Sequence, residues 1–175
     1  VAAGYIMYGS STVLVYSTGR SVDCFTLDPS SGEFFLTRRD VKMPRVTQLL
    51  SINECNRPYW PGWTHTLVEK VLERNDADKR RVSARHIGSL VVDFHRNLIK
   101  GGLYLYPVNA ITGRGKLRLL YECNPLAFLA EAAGGGASNG TIPILDMEPT
   151  ELHQRCGIII GPRDDVMLAD QLVAN

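Results

Sequence analysis

Apolar residues follow two different spacings along this chain, and the spacing predicts which segments are strands and which are helices. Early runs rich in β-branched and aromatic residues predict a hairpin of strands at 11–18 and 22–28 and a further strand at 33–38. Apolar residues three and four positions apart predict amphipathic helices over 61–75 and 90–100. The remaining predicted elements are strands at 48–52, 102–108, 142–145 and 157–161, a last helix at 166–173, and loops at 76–81 and 134–140.

The stretch from 113 to 136 combines a loop, a predicted strand and a predicted helix. From Lys116 the side chains alternate, which predicts an extended strand with Lys116, Arg118 and Glu122 on one face. Asn124, followed by a proline, predicts the start of the helix, and a glycine predicts its end. Glu122 is therefore expected where a strand ends and a helix begins, a position at which open α/β sheets bind ligands.

Two short segments contain parts of known phosphate-binding loops but lack residues that such loops need. Residues 113–116 read GRGK, yet Ala110 stands in place of the earlier glycine of a P-loop, and Leu117 in place of the required Ser or Thr. Cys156 and Arg163 are separated by six residues, and Arg rather than His precedes the cysteine, unlike in a cysteine-phosphatase loop. Both assignments are therefore rejected.

The composition indicates an ordinary globular protein with no general attraction to polyanions. With 175 residues the chain suits one domain, and 19 Lys and Arg against 18 Asp and Glu leave a formal net charge of +1. Binding to nucleic acid or to a membrane is therefore not expected, and any anion site must be local. No apolar run approaches the roughly 20 residues that span a bilayer, and the widely spaced cysteines are expected to be free intracellular thiols. The start at Val1 rather than Met indicates a piece of a longer protein.

Five separate segments resemble one known family. The longest is KLRLLYECNP at 116–125, which precedes a helix rich in small residues. The others are FTLDPSSGEFFLT at 25–37, SINE at 51–54, SARHIGSLVVDFHR at 83–96 and ILDMEPTELHQR at 144–155. Through these segments the chain, taken as one domain over 1–175, resembles the C-terminal, sugar-phosphate-binding domain of class I fructose-1,6-bisphosphatases.

The resemblance implies a fold and an activity. The fold would be an α/β domain of three layers, α/β/α, around a mixed and mostly central β-sheet. The parent enzyme would hydrolyse the 1-phosphate of fructose 1,6-bisphosphate to fructose 6-phosphate in gluconeogenesis, with Mg²⁺, or alternatively Mn²⁺ or Zn²⁺, as cofactor. The family's N-terminal domain, with the other metal carboxylates and most of the AMP site, would lie outside this sequence and act as its partner. A cytoplasmic homotetramer is expected, with an intracellular organelle as the alternative location.

The resemblance also implies roles for individual residues. Glu122 would bind the catalytic metal, and Arg118 would lie near that metal and the scissile phosphate. Lys116 would contact the substrate, while Asn53 and Tyr106 would contact the 6-phosphate of the sugar. The other implied substrate-binding residues are Arg85, which would reach into the 6-phosphate site of a neighbouring subunit, and His86, Gly88, Ser89 and Leu90.

Several polar residues have a purely structural interpretation when they are considered without the family. Asn53 would be a helix or turn cap, and Asp28, which precedes a proline, would stabilise a turn. Asp93, His95 and Arg96 are too close together along one helix to share a face as a catalytic triad would. These three residues are therefore expected to be structural.

The sequence departs from the family at three positions of the implied site. Cys55 replaces a glycine, Asn56 stands where many relatives have a phosphate-binding Tyr, and His86 stands where relatives usually have Tyr. Tyr59 is a candidate to replace the missing phosphate-binding Tyr. Two other functions stay open: hydrolysis of sedoheptulose 1,7-bisphosphate or of an inositol phosphate, and a non-catalytic sugar-phosphate-binding or assembly module.

Overall fold

The computed structural model describes residues 1–78 and 81–174. The strands are β1 (Ala3–Met7), β2 (Val13–Ser17), β3 (Val22–Asp28), β4 (Glu33–Arg38), β5 (Leu49–Ser51), β6 (Ser83–Ala84), β7 (Gly102–Tyr106), β8 (Leu117–Arg118), β9 (Gly136–Ser138), β10 (Arg155–Cys156) and β11 (Ile158–Gly161). The helices are α1 (Gly62–Asp78), α2 (Leu90–Lys100), α3 (Asn124–Ala132) and α4 (Arg163–Ala174). Short helical turns precede α1 at Glu54–Tyr59, precede α3 at Leu119–Cys123, and follow β9 at Ile144–Asp146.

The strands pair into a large mixed sheet and two antiparallel groups. The mixed sheet has five strands in the order β6-β5-β7-β11-β9. In it, β5 runs parallel to β6 and β7, whereas β11 runs antiparallel to β7 and β9. The strands β1 to β4 form an antiparallel meander, and β8 pairs with β10.

Side-chain alternation along β7 divides the interior into two hydrophobic cores. Leu103 and Leu105 pack with α1 and α4 on one face of the mixed sheet. Tyr104 faces the other core, where Ile158 and Ile160 of β11 pack with α2 and α3. Because successive residues of a strand point to opposite faces, the same strands serve both cores. The result is a helix, sheet and helix arrangement in three layers.

The meander β1 to β4 forms a fourth layer on the outer side of α2 and α3. Val15 and Val22 are fully buried, and they share a core with Phe94 and Leu98 of α2. The predicted α/β class with a mixed central sheet is confirmed. The antiparallel sheet is an addition to the three predicted layers, because sequence spacing shows that strands exist but not which helices they cover.

The turn between β3 and β4 is held by Asp28, as predicted. Its carboxylate accepts hydrogen bonds from the Ser30 hydroxyl at 2.7 Å and from the Ser30 backbone N–H at 2.9 Å. The hydrogen bond from the Ser30 hydroxyl is the main reason that the pKa of Asp28 lies below its ordinary value. The other hydrogen bonds of this turn lower the pKa further. The predicted hairpin and third strand are present as β2, β3 and β4.

The glycine-rich segment predicted as a loop at 134–140 contains β9. Ala137 pairs with Ile160 of β11, so the segment adds the edge strand of the mixed sheet. The prediction was wrong because this pairing is a long-range contact that a segment of small residues does not reveal. Gly134, with φ of +86°, lies just after α3 and ends the helix as predicted.

Two further segments differ from the prediction. The strand predicted at 142–145 is replaced by a 3₁₀ turn at Ile144–Asp146, since Ile144 is drawn fully into the core beside α3 instead of pairing in a sheet. The charged loop predicted at 76–81 begins inside α1, which continues to Asp78, and residues 79–80 lie outside the described residues.

The cysteines of the chain are free, as predicted. Cys123 and Cys156 lie together in the core, with their sulfur atoms 3.5 Å apart. None of the helices in the described ranges is long and apolar enough to cross a membrane.

A hydrogen bond between Tyr5 and His95 joins the meander to α2. The Tyr5 hydroxyl lies 2.9 Å from His95 Nδ1, and burial raises the pKa of Tyr5 so that the hydroxyl keeps its proton. Burial, together with the positive charge of Arg38, lowers the pKa of His95 below 6.5. The hydrogen bond therefore joins a neutral phenol and a neutral imidazole.

The depressed pKa of His95 predicts an acid-dependent loss of stability. Between pH 6.5 and the lower pKa of the folded state, the unfolded chain binds a proton that the folded chain does not. The free energy of unfolding should therefore fall as the pH falls through this window, and His95→Gln should reduce that fall. Urea denaturation from about pH 7 to about pH 5 measures it. His153→Gln is the matched control, because this exposed imidazole bonds Tyr121 at 2.9 Å without being buried. An unchanged pH dependence in His95→Gln would contradict the assignment.

Candidate active site

The chain turns from strand to helix directly after Arg118. The predicted strand through Glu122 is wrong, because β8 ends at Arg118 and a π-helical turn follows. Leu119 and Cys123 are both fully buried, so burial here follows the four-residue spacing of a helix that continues into α3. Tyr121, which a strand would place on the same face as Leu119, is 48% exposed.

Glu122 folds back over the start of this turn. Its Oε2 accepts a hydrogen bond from the backbone N–H of Arg118 at 2.7 Å, and the Arg118 guanidinium lies 3.3 Å from Oε1. A carboxylate that accepts a hydrogen bond from an otherwise unpaired backbone N–H stabilises the start of a helix. This role had been predicted for Asn124, which instead lies inside the helical run with φ of −59°. Lys116 does not join Arg118 and Glu122 on a strand face, because that face does not form.

Pocket A is a cavity of about 170 Å³ at the ends of β5 and β7. These strands are parallel, so their carboxyl ends meet at one edge of the sheet, where polar side chains can converge. The lining residues are Ile52, Asn53, Asn56, Tyr59, Trp60, Leu105, Tyr106, Pro107, Val108, Asn109, Arg114 and Lys116. The described residues that line pocket A include no Asp or Glu.

Asn53 is a turn cap, which is the structural role considered from the sequence. Its Oδ1 accepts a hydrogen bond from the backbone N–H of Cys55 at 3.0 Å and caps the turn Glu54–Tyr59. It also lines pocket A. The cap uses only the oxygen, so the amide NH₂ group of Asn53 keeps its two donors for a ligand.

Tyr106 and Lys116 also line pocket A. Tyr106 is the last residue of β7, and the Lys116 ammonium lies 5.5 Å from the centre of its ring. That distance is within the range of a cation–π contact. The ring therefore holds the ammonium at the pocket while its charge stays without a carboxylate partner among the described residues.

Pocket B is a second cavity, of about 310 Å³, between the starts of α2 and α3. Ser89 and Leu90 line it from the α2 side, and Glu122 lines it from the α3 side. The other lining residues are Gly4, Tyr5, Val91, Tyr121, Pro125 and Leu126. Pocket B thus holds a carboxylate, whereas pocket A holds cations.

Asp93 is fully buried on α2 and holds the loop that precedes this helix. Its carboxylate accepts hydrogen bonds from the backbone N–H groups of Ile87 and Gly88 at 3.0 Å. Arg96 donates to the same carboxylate at 2.7 Å and to the carbonyl of Arg85 at 2.7 Å. These contacts agree with the structural role predicted for Asp93 and Arg96.

The loop held by Asp93 carries several predicted substrate-binding residues, which lie apart from both pockets. His86 packs against Tyr104, with ring centres 6.5 Å apart, and its Nδ1 lies 3.7 Å from an Asp93 oxygen. Arg85 is exposed, and its guanidinium donates to the preceding carbonyl at 3.0 Å. Arg85, His86 and Gly88 line neither pocket A nor pocket B.

Two models of known protein families match this chain, one over the antiparallel meander and one over the rest of the fold. A family model described as "Fructose-1-6-bisphosphatase, C-terminal domain" matches residues 43–174. The chain belongs to the fructose-1,6-bisphosphatase family. A second model, "Fructose-1-6-bisphosphatase, N-terminal domain", matches residues 1–39, which carry the meander β1 to β4. Residues 1–175 had been predicted to form a C-terminal domain throughout.

Individual fructose-1,6-bisphosphatases are similar to nearly the whole chain. A class 1 fructose-1,6-bisphosphatase of Chloroherpeton thalassium is 50% identical over 171 residues, which is 98% of this chain and 49% of that protein. The crystal structure of Leishmania major fructose-1,6-bisphosphatase in holo form superposes with a TM-score of 0.92 at 43% identity, and covers 100% of this chain and 54% of that one. The chain therefore spans about half the length of these relatives.

The structure brings together two groups of the predicted site residues of a fructose-1,6-bisphosphatase. Asn53, Tyr106 and Lys116 meet in pocket A, and Ser89, Leu90 and Glu122 meet in pocket B. Sequence reasoning did not assign Asn109 and Arg114, which also line pocket A. The signal for Arg114 was its place in GRGK, where two cations flank a glycine after a buried strand.

Members of the family generally use divalent metal ions. Within the described ranges, no group of three or more His, Cys, Asp or Glu is arranged to hold a metal ion. Glu122 is the carboxylate of pocket B, and its oxygens already accept from Arg118. Because both oxygens of this single carboxylate are already engaged by Arg118, the residues present do not by themselves fit a divalent ion.

The contacts of Asp93 with Arg96 and with the loop before α2 predict a large loss of stability when the charge of Asp93 is removed. Asp93→Asn should lower the free energy of unfolding by about 3 kcal/mol, because Arg96 then loses its partner in a largely buried site. Urea denaturation measures this loss. Glu69→Gln, the same acid-to-amide change on the exposed surface of α1, should stay within about 0.5 kcal/mol of the wild type. Equal effects of the two substitutions would show that the network contributes little.

Proposed function

We propose that this chain is part of a sugar bisphosphatase that hydrolyses the 1-phosphate of fructose 1,6-bisphosphate to fructose 6-phosphate, in gluconeogenesis and in the cytoplasm. In this proposal, pocket A binds the 6-phosphate and pocket B lies beside the reacting 1-phosphate. The observation that carries the proposal is the convergence of Asn53, Tyr106 and Lys116 in one cavity. A cavity with cations, neutral donors and no acid among its described residues is suited to a phosphate monoester dianion.

Each of the three residues supports phosphate binding in a different way. Lys116 supplies a positive charge, and its position over the Tyr106 ring limits where that charge can lie. The Asn53 amide and the Tyr106 hydroxyl supply neutral donors. The apolar side chains of Trp60 and Leu105 in the same cavity exclude water, which strengthens hydrogen bonds to an anion.

We propose a different role for Arg85, which lies outside both pockets of its own chain. An exposed guanidinium with no carboxylate partner among the described residues is free to bind an anion on another molecule. In this proposal, Arg85 reaches the 6-phosphate site of a neighbouring subunit in a homotetramer. The network of Asp93 and Arg96 supports it by fixing the backbone from which Arg85 projects.

We propose that Glu122 contributes one carboxylate to a divalent metal site, for Mg²⁺ or else Mn²⁺ or Zn²⁺, that carboxylates outside this chain complete. When bound, such an ion would stabilise the charge that develops on the transferred phosphate. In pocket B, Arg118 orients the Glu122 carboxylate through the backbone N–H at 2.7 Å and through its guanidinium. The same guanidinium would also attract the scissile phosphate.

The first functional prediction concerns binding in pocket A. Lys116→Ala should weaken the binding of fructose 6-phosphate roughly tenfold or more, because a hydrogen bond to a charged group is lost. Isothermal titration calorimetry measures the affinity. Lys42→Ala is the matched control, since this exposed lysine is paired with Asp40 at 2.7 Å and does not line the pocket. Unchanged affinity in Lys116→Ala, or a soaked crystal with the phosphate elsewhere, would show that the pocket is misassigned.

The second functional prediction concerns catalysis. The 175-residue chain should release no phosphate from fructose 1,6-bisphosphate with excess Mg²⁺ or Mn²⁺, because one carboxylate is too few for the metal site. Joining the chain to the N-terminal half of a relative should restore turnover, and Glu122→Gln should abolish it. A phosphate-release assay measures both effects. Strong activity of the chain alone would place the metal site elsewhere.

A further inference from the structure

We propose that Arg114 is a second phosphate-binding cation of pocket A, so that one chain offers both a guanidinium and an ammonium to the phosphate of the sugar. This inference rests on the proposed function of pocket A. It gives a role to the GRGK segment, which the sequence analysis excludes as a nucleotide-binding P-loop. Arg114 lines the same cavity as Lys116, with Gly115 between them.

The loop that presents Arg114 is closed on itself by hydrogen bonds. The backbone N–H of Asn109 donates to the carbonyl of Arg114 at 3.1 Å, and Gly113 donates back to the carbonyl of Asn109 at 2.8 Å. The Asn109 side chain accepts from the backbone N–H groups of Ile111 and Thr112 at 2.9 and 3.0 Å. A loop closed in this way loses little further backbone entropy on binding, so the backbone from which Arg114 projects is already positioned.

Two contacts fix the position of this loop, one with the wall of pocket A and one with the strand β10. The backbone N–H of Ala110 donates to the carbonyl of Tyr59, another lining residue, at 2.9 Å. Gly115 lies against the backbone of Cys156 so closely that a Cβ atom there would be 2.1 Å from the Cys156 carbonyl carbon. Only glycine fits at this position. Arg114 and Lys116 therefore project from either side of Gly115, whose backbone position is fixed by this packing.

The charges at this edge of the pocket are unbalanced. Neither Arg114 nor Lys116 has an ion-pair partner within the described part of the chain, and no described acid lines pocket A. Two like charges held by a closed loop repel each other, and a bound dianion would relieve that repulsion. A guanidinium suits a phosphate because its planar fork can donate two parallel hydrogen bonds.

This arrangement predicts that binding of a phosphate monoester depends on Arg114 of the same chain. Arg114→Gln should weaken the binding of fructose 6-phosphate and of inorganic phosphate roughly tenfold, since a charge-assisted hydrogen bond is lost. Arg114→Lys keeps the charge but loses the fork, so its affinity should lie between those of the wild type and Arg114→Gln. Calorimetry on the full 175-residue chain measures these affinities, and thermal unfolding verifies that each variant folds.

Arg57→Gln is the matched control. Arg57 lies in the turn beside the pocket but outside its lining, and it faces Glu54 at 3.9 Å, so the substitution changes the net charge equally without removing a ligand contact. Its affinity for fructose 6-phosphate should equal that of the wild type. Equal losses in Arg57→Gln and Arg114→Gln would reduce the effect to overall charge and overturn the inference.

The result for Lys116→Ala separates this inference from the proposed function. If Lys116→Ala loses affinity and Arg114→Gln does not, pocket A binds phosphate and the role of Arg114 alone is wrong. If the wild-type chain binds neither fructose 6-phosphate nor inorganic phosphate, the function of pocket A and the role of Arg114 are both wrong. Losses in both variants, with Arg57→Gln unchanged, support the inference.

Discussion

Burial of the mixed sheet on both faces is the constraint on which the rest of this structure depends. Leu103 and Leu105 fill one core and Tyr104 the other, so β7 has no position for an unpaired polar group before its last residue, Tyr106. Polar groups that must meet a ligand are therefore confined to strand ends and the loops that follow them. Pocket A lies at such an edge, with an apolar wall supplied by the residues that close the core.

The starts of α2 and α3 are stabilised by the same physical device. In each case, a carboxylate at the start of the helical run accepts hydrogen bonds from backbone N–H groups that precede the helix. The same carboxylate forms an ion pair with an arginine. Asp93 accepts a hydrogen bond from the backbone N–H of Ile87 and pairs with the guanidinium of Arg96. Glu122 accepts a hydrogen bond from the backbone N–H of Arg118 and pairs with the guanidinium of the same residue. A negative charge is favourable at a helix start, and the arginine offsets the cost of its burial. The two starts face each other across pocket B.

The charges of the site are divided between its two pockets. Lys116 and Arg114 give pocket A an excess of positive charge, which favours a phosphate group without a metal ion. Glu122 gives pocket B a single carboxylate, already balanced by Arg118, so this pocket needs further acids before it can hold a divalent cation. Under the proposed function, binding of the sugar phosphate would therefore depend more on the residues of this chain than catalysis would.

Features set by short-range contacts can be read directly from the sequence. The turn at Asp28, the end of α3 at Gly134 and the cap at Asn53 depend on hydrogen bonds or backbone angles within a few residues, and each was predicted as a local feature. The central turn, Leu119–Cys123, was not predicted, because the alternation of residues from Lys116 suits both a strand and the start of a helix. Burial of Leu119 decides between them.

Pocket A combines both kinds of information. Resemblance to a family predicted Asn53, Tyr106 and Lys116 as one group, although they lie on segments far apart in the chain. Arg114 was not part of this resemblance, and its place in the pocket depends on the close packing of Gly115 against a distant strand. Local sequence therefore specifies the elements and their caps, whereas contacts between distant segments choose the conformation of the central turn and the full set of residues that face a ligand.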